Sequence, residues 1–560
     1  MCCWNFHNFL CHWSRVPICS SADQRVPQPL ERRSQHPFLR SLVTGMGFST
    51  VHLIASYLIG CLTPASFCSY YLVNISGIPG YGYHTVLGLG EPTQKLQFLL
   101  DTGSSNLAVA TDKVSTVQRW FVANESKTLV CSNLKQTVRY QQGTWSGKLC
   151  TEQLTLFTTS LVSPRLNANL SLRSQISLID LSNNFFPSNN TLSVWEGILG
   201  LGFAKLFVKP ISDSWVTKIL SPFKWTRTWT KSFLEQYRGH SLFDDLVLQL
   251  GLPNLFSLHL CGLTQNAGQS NVATGVWGLG TTIVNKSAAS NGPIFFTPIR
   301  QAWFYEVVLT DLRINNHSVV DDCKELNFDK TVLDTGTTNI ELPQRVFTSV
   351  VNHIKRHFYH QSSLRKIYPS SFTKFWRTES LLCESAASGH VGGKTGLPYI
   401  LFPTMEFHFE ENPANEKPET SFILSLSPQQ YIRYVGRTSK RGQLRDCFAF
   451  GIQPSRVGTT LGLVFLEGFF TIFDRGSLQI GFSDSACNRY SNLSTVAVSQ
   501  VLGIQRRHAL TGPTASVACA FHRPVLSSLV GSANWTCFLA ILCSIVQVFT
   551  TVLVRYISRK

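Results

Sequence analysis

The feature that most constrains the fold of this chain is a nine-residue pattern that occurs twice. Residues 98–106 read FLLDTGSSN, and residues 331–339 read TVLDTGTTN. Each copy is followed, after a long interval, by Leu-Gly-Leu, at 199–201 and at 461–463. A single Asp-Thr-Gly could be any turn at the end of a strand. Two copies in matching surroundings indicate two related halves of one fold.

The repeat predicts two carboxyl groups at one site. Glycine permits the tight turn that presents Asp101 or Asp334 at the end of a strand, and the neighbouring hydroxyls can donate hydrogen bonds to the carboxylate. If the two halves meet face to face, the carboxyls come together and hold one proton between them, because two like charges in contact do not both ionise easily. The ionised member could then activate water while the protonated member polarises a carbonyl group. Such chemistry needs no metal and no nucleophilic side chain.

The chain resembles the pepsin-like aspartic proteases, and among them the membrane-anchored beta-secretase (memapsin) group. The resemblance covers about residues 81–487, and its clearest stretches outside the repeat are 83–101 (YHTVLGLGEPTQKLQFLLD), 195–202 (WEGILGLG) and 252–262 (LPNLFSLHLCG). It implies an all-β, bilobal fold with the active-site cleft between the lobes. It also implies a polypeptide substrate and no cofactor.

The resemblance assigns roles to residues around the repeat. Asp101 and Asp334 would be catalytic, and Thr335 stands where beta-secretases tend to have Ser. By the same resemblance the hydroxyls of Ser104 and Thr337 would support the outer carboxylate oxygens, and Thr102 and Thr335 would tie the two loops together. The full set of residues that would support the pair is Thr102, Gly103, Ser104, Thr335, Gly336 and Thr337.

Residues 138–149 alternate into a turn that contains glycine and out again, which predicts a β-hairpin. This hairpin is similar to the flap of the family. By that resemblance Tyr140 would lie over the carboxyl pair and hydrogen-bond Trp145, and Gln142 would be a further flap residue. The alternative is an ordinary surface hairpin.

Glu341 stands where beta-secretases resemble one another in having Arg, at a substrate subsite near the scissile bond. A partly desolvated Glu there would repel acidic substrate side chains and attract Lys or Arg. The alternative is a solvated Glu341 that pairs with Arg345.

Eight cysteines lie in the body of the chain, which is compatible with four disulfide bonds and an oxidising compartment. Eight Asn-x-Ser/Thr sequons also suit a lumenal surface. By resemblance Cys261 would pair with Cys487, Cys383 with Cys447, and Cys323 with Cys519. Cys131 and Cys150 lie on opposite arms of the flap hairpin, where a bridge would stiffen its base; the alternative is two free thiols.

Composition excludes several classes of function. With 14% charged and 44% hydrophobic residues the chain is not a disordered protein. Its net charge of +17 is spread out without a Lys/Arg run, which argues against nucleic-acid binding. No Cys-x-x-Cys spacing supports a metal site. Residues 204–241 interleave Trp with Lys and Arg; an exposed loop insertion, or a retained intron, explains this better than a membrane or nucleic-acid interface.

The two ends of the chain predict membrane topology. Residues 536–554 are uncharged and are followed by Arg555, Arg559 and Lys560, which indicates a transmembrane helix. The apolar run after Met46 is typical of a signal peptide or signal anchor. The predicted plan is a leader or gene-model extension (1–45), a signal segment (46–69), an N-terminal lobe with the flap (70–294), a C-terminal lobe (295–490), a juxtamembrane stalk (491–535), the span (536–554) and a cytoplasmic tail (555–560).

The sequence therefore predicts a type I membrane protein of the secretory or endosomal pathway, with a lumenal or extracellular aspartic endopeptidase domain. Its partners would be extended polypeptides, especially ectodomains of membrane proteins, and the membrane itself. One alternative is a weak or inactive binding protein on the same scaffold, which the retention of both Asp101 and Asp334 opposes. Another is a lysosomal cathepsin-D-like protease, which the C-terminal apolar segment opposes.

Overall fold

Strands make up most of the regular structure, so the fold is mostly β, as predicted. The computed structural model describes residues 71–78, 82–160, 167–186, 193–212, 239–261, 273–281, 293–360, 371–385, 399, 402–411, 421–440, 442–485, 505–507 and 519–520. The first strands are β1 (Tyr71–Ile78), β2 (Gly82–Leu89), β3 (Gln94–Asp101), β4 (Leu107–Ala110), β5 (Val130–Arg139), β6 (Thr144–Ser160), β7 (Asn167–Asn183), β8 (Gly197–Gly200), β9 (Ile211–Ser212), β10 (Leu255–Leu260) and β11 (Ala273–Leu279).

The second part of the chain adds more strands and most of the helices. The strands are β12 (Phe295–Pro298), β13 (Glu306–Val307), β14 (Leu309–Ile314), β15 (His317–Ser318), β16 (Thr331–Leu333), β17 (Ile340–Pro343), β18 (Leu382–Ser385), β19 (Met405–Glu410), β20 (Ser421–Leu426), β21 (Ile432–Lys440), β22 (Gln443–Phe450), β23 (Ile452–Ser455), β24 (Thr459–Leu461), β25 (Phe469–Asp474), β26 (Gln479–Asp484) and β27 (Gln505–Arg507). The described helices are α1 (Leu242–Leu250), α2 (Gln344–His360), α3 (Ser371–Trp376), α4 (Pro428–Tyr431) and α5 (Leu463–Leu466).

The two copies of the sequence repeat form the same strand arrangement. In the first half β3 lies parallel to β8, with Asp101 opposite Gly200, and β8 lies antiparallel to β4. In the second half β16 lies parallel to β24, with Leu333 opposite Leu461, and β24 lies antiparallel to β17. Each Asp-Thr-Gly turn therefore follows a buried strand of the same kind, and its later Leu-Gly-Leu lies on or beside the neighbouring strand.

A fourteen-stranded sheet joins the two parts of the chain. Its order is β12-β26-β25-β10-β11-β1-β2-β3-β8-β4-β7-β6-β5-β9, and three smaller sheets have the orders β13-β16-β24-β17-β23, β15-β14-β19-β20-β27 and β18-β22-β21. The pairing of β10 with β25 places Phe256 opposite Phe473. It connects residues of the two predicted lobes, whose boundaries (70–294 and 295–490) stay a prediction.

Aromatic packing also links the first and second parts of the chain. Phe256 stacks on Phe473 with ring centroids 4.7 Å apart, and Tyr305 meets Phe473 edge-on at 4.7 Å. The Tyr305 hydroxyl donates a 2.6 Å hydrogen bond to the carbonyl oxygen of Leu201. Burial raises the pKa of Tyr305, so the hydroxyl remains a donor. Leu201 in turn donates its backbone N–H to the carbonyl oxygen of Asp101 at 2.7 Å, so this chain of contacts supports the first turn.

Disulfide bonds close three loops among the described residues. Cys131–Cys150 joins β5 to β6 at the base of the flap hairpin, where the two residues lie directly opposite each other. Cys383–Cys447 joins β18 to β22, and Cys323–Cys519 connects the turn before β16 to a late part of the chain. These pairs match the expected ones. Cys261 is disulfide-bonded as well; its expected partner, Cys487, lies outside the described residues.

Several predicted segments lie outside the described residues. They are the leader (1–45), the signal segment (46–69), most of the stalk (491–535), the span (536–554), the tail (555–560) and residues 213–238 of the basic, Trp-containing insertion. None of the helices that the structure does describe has the length and apolar character needed to cross a membrane.

Candidate active site

The first Asp-Thr-Gly turn holds the Asp101 carboxyl with local hydrogen bonds. Oδ1 accepts the backbone N–H of Gly103 at 2.8 Å, and Oδ2 accepts the hydroxyl of Ser104 at 2.5 Å. Asp101 is only 4% exposed. Its orientation is therefore set by the turn that the motif encodes.

The second turn repeats this geometry. Asp334 Oδ1 accepts the N–H of Gly336 at 2.8 Å, and Oδ2 accepts the hydroxyl of Thr337 at 2.6 Å. Each glycine also faces the opposite carboxyl: a Cβ on Gly103 would lie 2.6 Å from Asp334 Cγ, and one on Gly336 would lie 2.5 Å from Asp101 Oδ1. A side chain at either position would force the two turns apart, so glycine is required for their contact.

Two threonines bind the turns to each other through the buried interior. The Thr335 hydroxyl accepts the backbone N–H of Thr102 at 3.0 Å and donates to the carbonyl oxygen of Leu100 at 2.8 Å. Reciprocally, the Thr102 hydroxyl accepts the N–H of Thr335 and donates to the carbonyl oxygen of Leu333, both at 3.0 Å. Both threonines are buried. The four bonds fix the relative position of the carboxyls.

Burial and mutual repulsion set the charge state of the pair. Desolvation, followed by the negative charge of Asp334, raises the pKa of Asp101 well above its usual range. The hydrogen bonds from Ser104 and Gly103 act in the opposite direction but are smaller effects. The site therefore retains a proton at a pH at which a free Asp would be ionised, so one carboxyl can act as an acid while the other acts as a base.

The hairpin expected at 138–149 is present as the end of the longer β5–β6 hairpin. Val138 lies opposite Trp145, and the backbone N–H of Tyr140 donates to the carbonyl oxygen of Gly143 at 2.7 Å to close the turn. Gln142 is exposed at the tip.

Tyr140 and Trp145 each bury a polar atom. Burial raises the pKa of the Tyr140 hydroxyl, and the nearby negative charge of Asp101 raises it further. Neither this hydroxyl nor Trp145 Nε1 has a hydrogen-bond partner among the described residues. Ser104 and Trp145 nevertheless face the Tyr140 hydroxyl and offset part of the rise in its pKa, so the expected Tyr140–Trp145 contact is present without an aligned hydrogen bond. The Tyr140 ring packs on Phe185 with centroids 5.2 Å apart.

Glu341 is 3% exposed and lies on β17. Its carboxylate accepts hydrogen bonds from Gln141 at 3.0 Å and Gln453 at 2.6 Å. The alternative of a solvated Glu341 paired with Arg345 is wrong, because Arg345 pairs with Glu325 at 3.4 Å and Glu341 is buried in the strand.

Sequence reasoning missed Gln141 and Gln453. Gln141 directly precedes Gln142, the tip residue that was predicted, and the two cannot be told apart from a hairpin pattern alone. Gln453 carries no motif; its position opposite Glu341 follows from the parallel pairing of β17 with β23. In the parts of the chain that the structure describes, no cluster of three or more His, Cys, Asp or Glu side chains could hold a metal ion.

Comparison with known proteins agrees with this geometry. The sequence model of the eukaryotic aspartyl proteases matches residues 82–485. A beta-secretase of Strongylocentrotus purpuratus is 34% identical over 423 residues, which span 74% of this chain and 68% of that protein. Vacuolar protease A of Neurospora crassa is 23% identical over 475 residues, 84% of this chain and 93% of that protein. The chain therefore belongs to the eukaryotic aspartyl protease family and is an aspartic-type endopeptidase.

Proposed function

We propose that the protein is a membrane-anchored aspartic endopeptidase that hydrolyses extended polypeptides, including ectodomains of membrane proteins, with Asp101 and Asp334 as its catalytic pair. The observation that carries this proposal is the matched support of the two carboxyls, each held by a glycine N–H and a hydroxyl in turns that contact each other.

In the proposed reaction the pair carries one proton. The ionised carboxyl takes a proton from water as the water oxygen attacks the peptide carbonyl carbon, and the protonated carboxyl donates a hydrogen bond to the carbonyl oxygen. Collapse of the tetrahedral intermediate breaks the C–N bond, and a proton from the pair passes to the leaving amine. The pair returns to its starting state with one proton.

The flap would hold the substrate over the pair. Its two strands can add an extended substrate strand by main-chain hydrogen bonding. The unpartnered Tyr140 hydroxyl and Trp145 N–H are then available to the substrate or to the attacking water. Because its pKa is raised, Tyr140 stays a neutral donor. Phe185, Phe186 and Trp195 pack beside Tyr140 and offer an apolar wall for a substrate side chain.

The cellular setting is part of the proposal. Support comes from the uncharged segment 536–554, from the disulfide bonds, which form in oxidising compartments, and from the similarity to a beta-secretase. We infer a single-pass protein of the secretory or endosomal pathway whose protease domain is lumenal or extracellular, with glycosylation at exposed sequons such as Asn124 and Asn316.

Hydrolysis of a peptide library by the purified full-length protein is expected to follow a bell-shaped pH dependence with an acidic optimum. Because the pKa of Asp101 is raised, the site keeps its proton in mild acid and loses it as the pH rises through that value, so the rate falls. At lower pH the pair takes up a second proton and no base remains. Rates are measured from strongly acidic to mildly alkaline pH, with and without a statine-type inhibitor. A maximum above neutrality, or cleavage that the inhibitor leaves untouched, would contradict the mechanism.

Glu341→Arg is expected to reverse a charge preference of the cleft. Glu341 is buried and no described residue forms an ion pair with it, so a basic substrate side chain at its subsite gains a partner while an acidic one is repelled. Peptide pairs that differ only by Lys or Asp two residues before the scissile bond should change their rate ratio by roughly tenfold. Glu341→Gln is the matched uncharged variant and should give an intermediate ratio. Equal ratios in all three enzymes would mean that Glu341 does not face the substrate.

A further inference from the structure

The tip of the flap is hydrogen-bonded to a strand from the second half of the chain. Gln141 belongs to the tight turn between β5 and β6, and its Nε2 donates to Oε2 of Glu341 at 3.0 Å. Glu341 lies 200 residues later, on β17. The backbone neighbour of Gln141 is Tyr140, the residue that reaches the carboxyl pair.

The acceptor of this bond is held from behind. Gln453 Nε2 donates to the other oxygen of Glu341 at 2.6 Å, and Gln453 Oε1 accepts from Asn339 Nδ2 at 2.8 Å. Because its oxygen is engaged by Asn339, the Gln453 amide must turn its NH₂ toward Glu341. That orientation leaves Oε2 of Glu341 for the flap.

The same strands carry the second carboxyl of the site. β17 pairs with β24, where Glu341 lies opposite Thr460. The neighbouring residue, Leu461, accepts the backbone N–H of Asp334 at 3.2 Å. The flap tip is thus hydrogen-bonded to the sheet that positions Asp334. This bond fixes the distance between Tyr140 and the carboxyl pair.

Charge explains why this contact matters energetically. A buried carboxylate is costly unless it receives hydrogen bonds, and no ion pair to Glu341 exists among the described residues. Hydrogen bonds to a charged acceptor are stronger than those between neutral groups, so an exposed Gln141 gains from ordering its side chain here. A carboxylate offers about four acceptor positions and the two glutamines use two of them, so Glu341 retains the capacity to accept from a substrate cation.

We propose that Gln141, Glu341 and Gln453 form a flap latch whose role is to position Tyr140 over the carboxyl pair during turnover. These three are positioning residues, and the proposal rests on the proposed function, since a positioned flap matters only if the pair hydrolyses peptides. The latch operates in the closed flap and is formed between two amides and one carboxylate.

The chemistry of the latch allows an exchange of partners as its test. Gln141→Glu faces one carboxylate with another, so the contact becomes repulsive. In the double variant Gln141→Glu with Glu341→Gln, the new amide at 341 donates to the new carboxylate at 141 and still accepts from Gln453. The donor and acceptor have exchanged places, and the latch is restored without restoring the original residues. Glu341→Gln alone should lose less than Gln141→Glu, because the exposed Gln141 amide can turn over and accept.

The experiment compares kcat/KM of the full-length wild type and these three variants on one peptide without charged side chains near the scissile bond. Gln141→Glu should lower kcat/KM by about tenfold or more, and the double variant should recover to within about threefold of the wild type. Gln141→Ala, which removes the donor without adding charge, should give a smaller loss. Asn133→Asp is the charge control, because Asn133 is exposed on the same hairpin away from the latch.

Each outcome bears on one proposal. An inactive wild type would overturn the proposed function. Two results with an active wild type would overturn the latch alone. In the first, Gln141→Glu has the kcat/KM of the wild type. In the second, the double variant has the same low kcat/KM as Gln141→Glu although its Tm is unchanged. If Asn133→Asp lowered kcat/KM as much as Gln141→Glu does, the added negative charge alone would explain the loss, and the latch would again be overturned.

Discussion

Replacing Asp101 or Asp334 with Asn is expected to lower peptide hydrolysis by at least about 10³-fold, because either change removes one half of a pair that must be acid and base together. The amide has nearly the same shape as the carboxyl. Its oxygen can still accept the N–H of Gly103 or Gly336, and the hydroxyl of Ser104 or Thr337 can turn to accept from its NH₂, so the fold should persist.

The measurement is single-turnover and steady-state cleavage of a peptide that the wild type hydrolyses, with Tm recorded for every variant. Asp180→Asn is the matched control: Asp180 pairs with the exposed Lys113 at 3.2 Å, and surface pairs of this kind contribute little. A loss below tenfold in both active-site variants would rule out the two-carboxyl mechanism.

Thr335→Val should destabilise the protein by about 2–6 kcal/mol. Valine keeps the shape of threonine but lacks the hydroxyl, so the N–H of Thr102 and the carbonyl oxygen of Leu100 lose their partners in a buried place. An unsatisfied buried polar group costs about 1–3 kcal/mol, and two are left here. Activity should fall as well, because the crossed threonines set the distance between the carboxyls.

Thr335→Ser is the matched control, since it retains the hydroxyl and removes only a methyl group; a change of about 1 kcal/mol or less is expected. The free energy of unfolding is obtained from denaturant titration, and Tm provides a second measure. If the Val and Ser variants were equally stable, the crossed hydrogen bonds would not be what holds the two turns together.

Much of the site could be predicted because its contacts are local in sequence. The bonds from Gly103 and Ser104 to Asp101 span two and three residues, so the motif itself encodes them. The flap hairpin is local in the same sense, because its alternation and turn lie within a dozen residues of sequence. Cys131 and Cys150 could be paired for the same reason.

The contacts that could not be predicted join residues far apart in the chain. Nothing in the sequence around Arg345 indicates that it pairs with Glu325 and leaves Glu341 buried beside Gln453. The contact of the Tyr140 ring with Phe185 likewise joins two separate parts of the chain. Packing of whole strands decides such details, and a shift of one residue in register would change them.

By itself the sequence determined the two Asp-Thr-Gly turns, the β-rich class and the family, because these depend on short patterns that impose their own backbone geometry. Only the tertiary structure decided that Gln141 meets Glu341 and that Gln453 holds Glu341 from the other side; the link between Thr102 and Thr335 was expected from the family resemblance, and the structure supplied its four bonds. The physical reason is that each of these bonds forms only after both halves have folded and their sheets have docked. Their partners are chosen by the spacing of the docked strands, which no single stretch of sequence encodes.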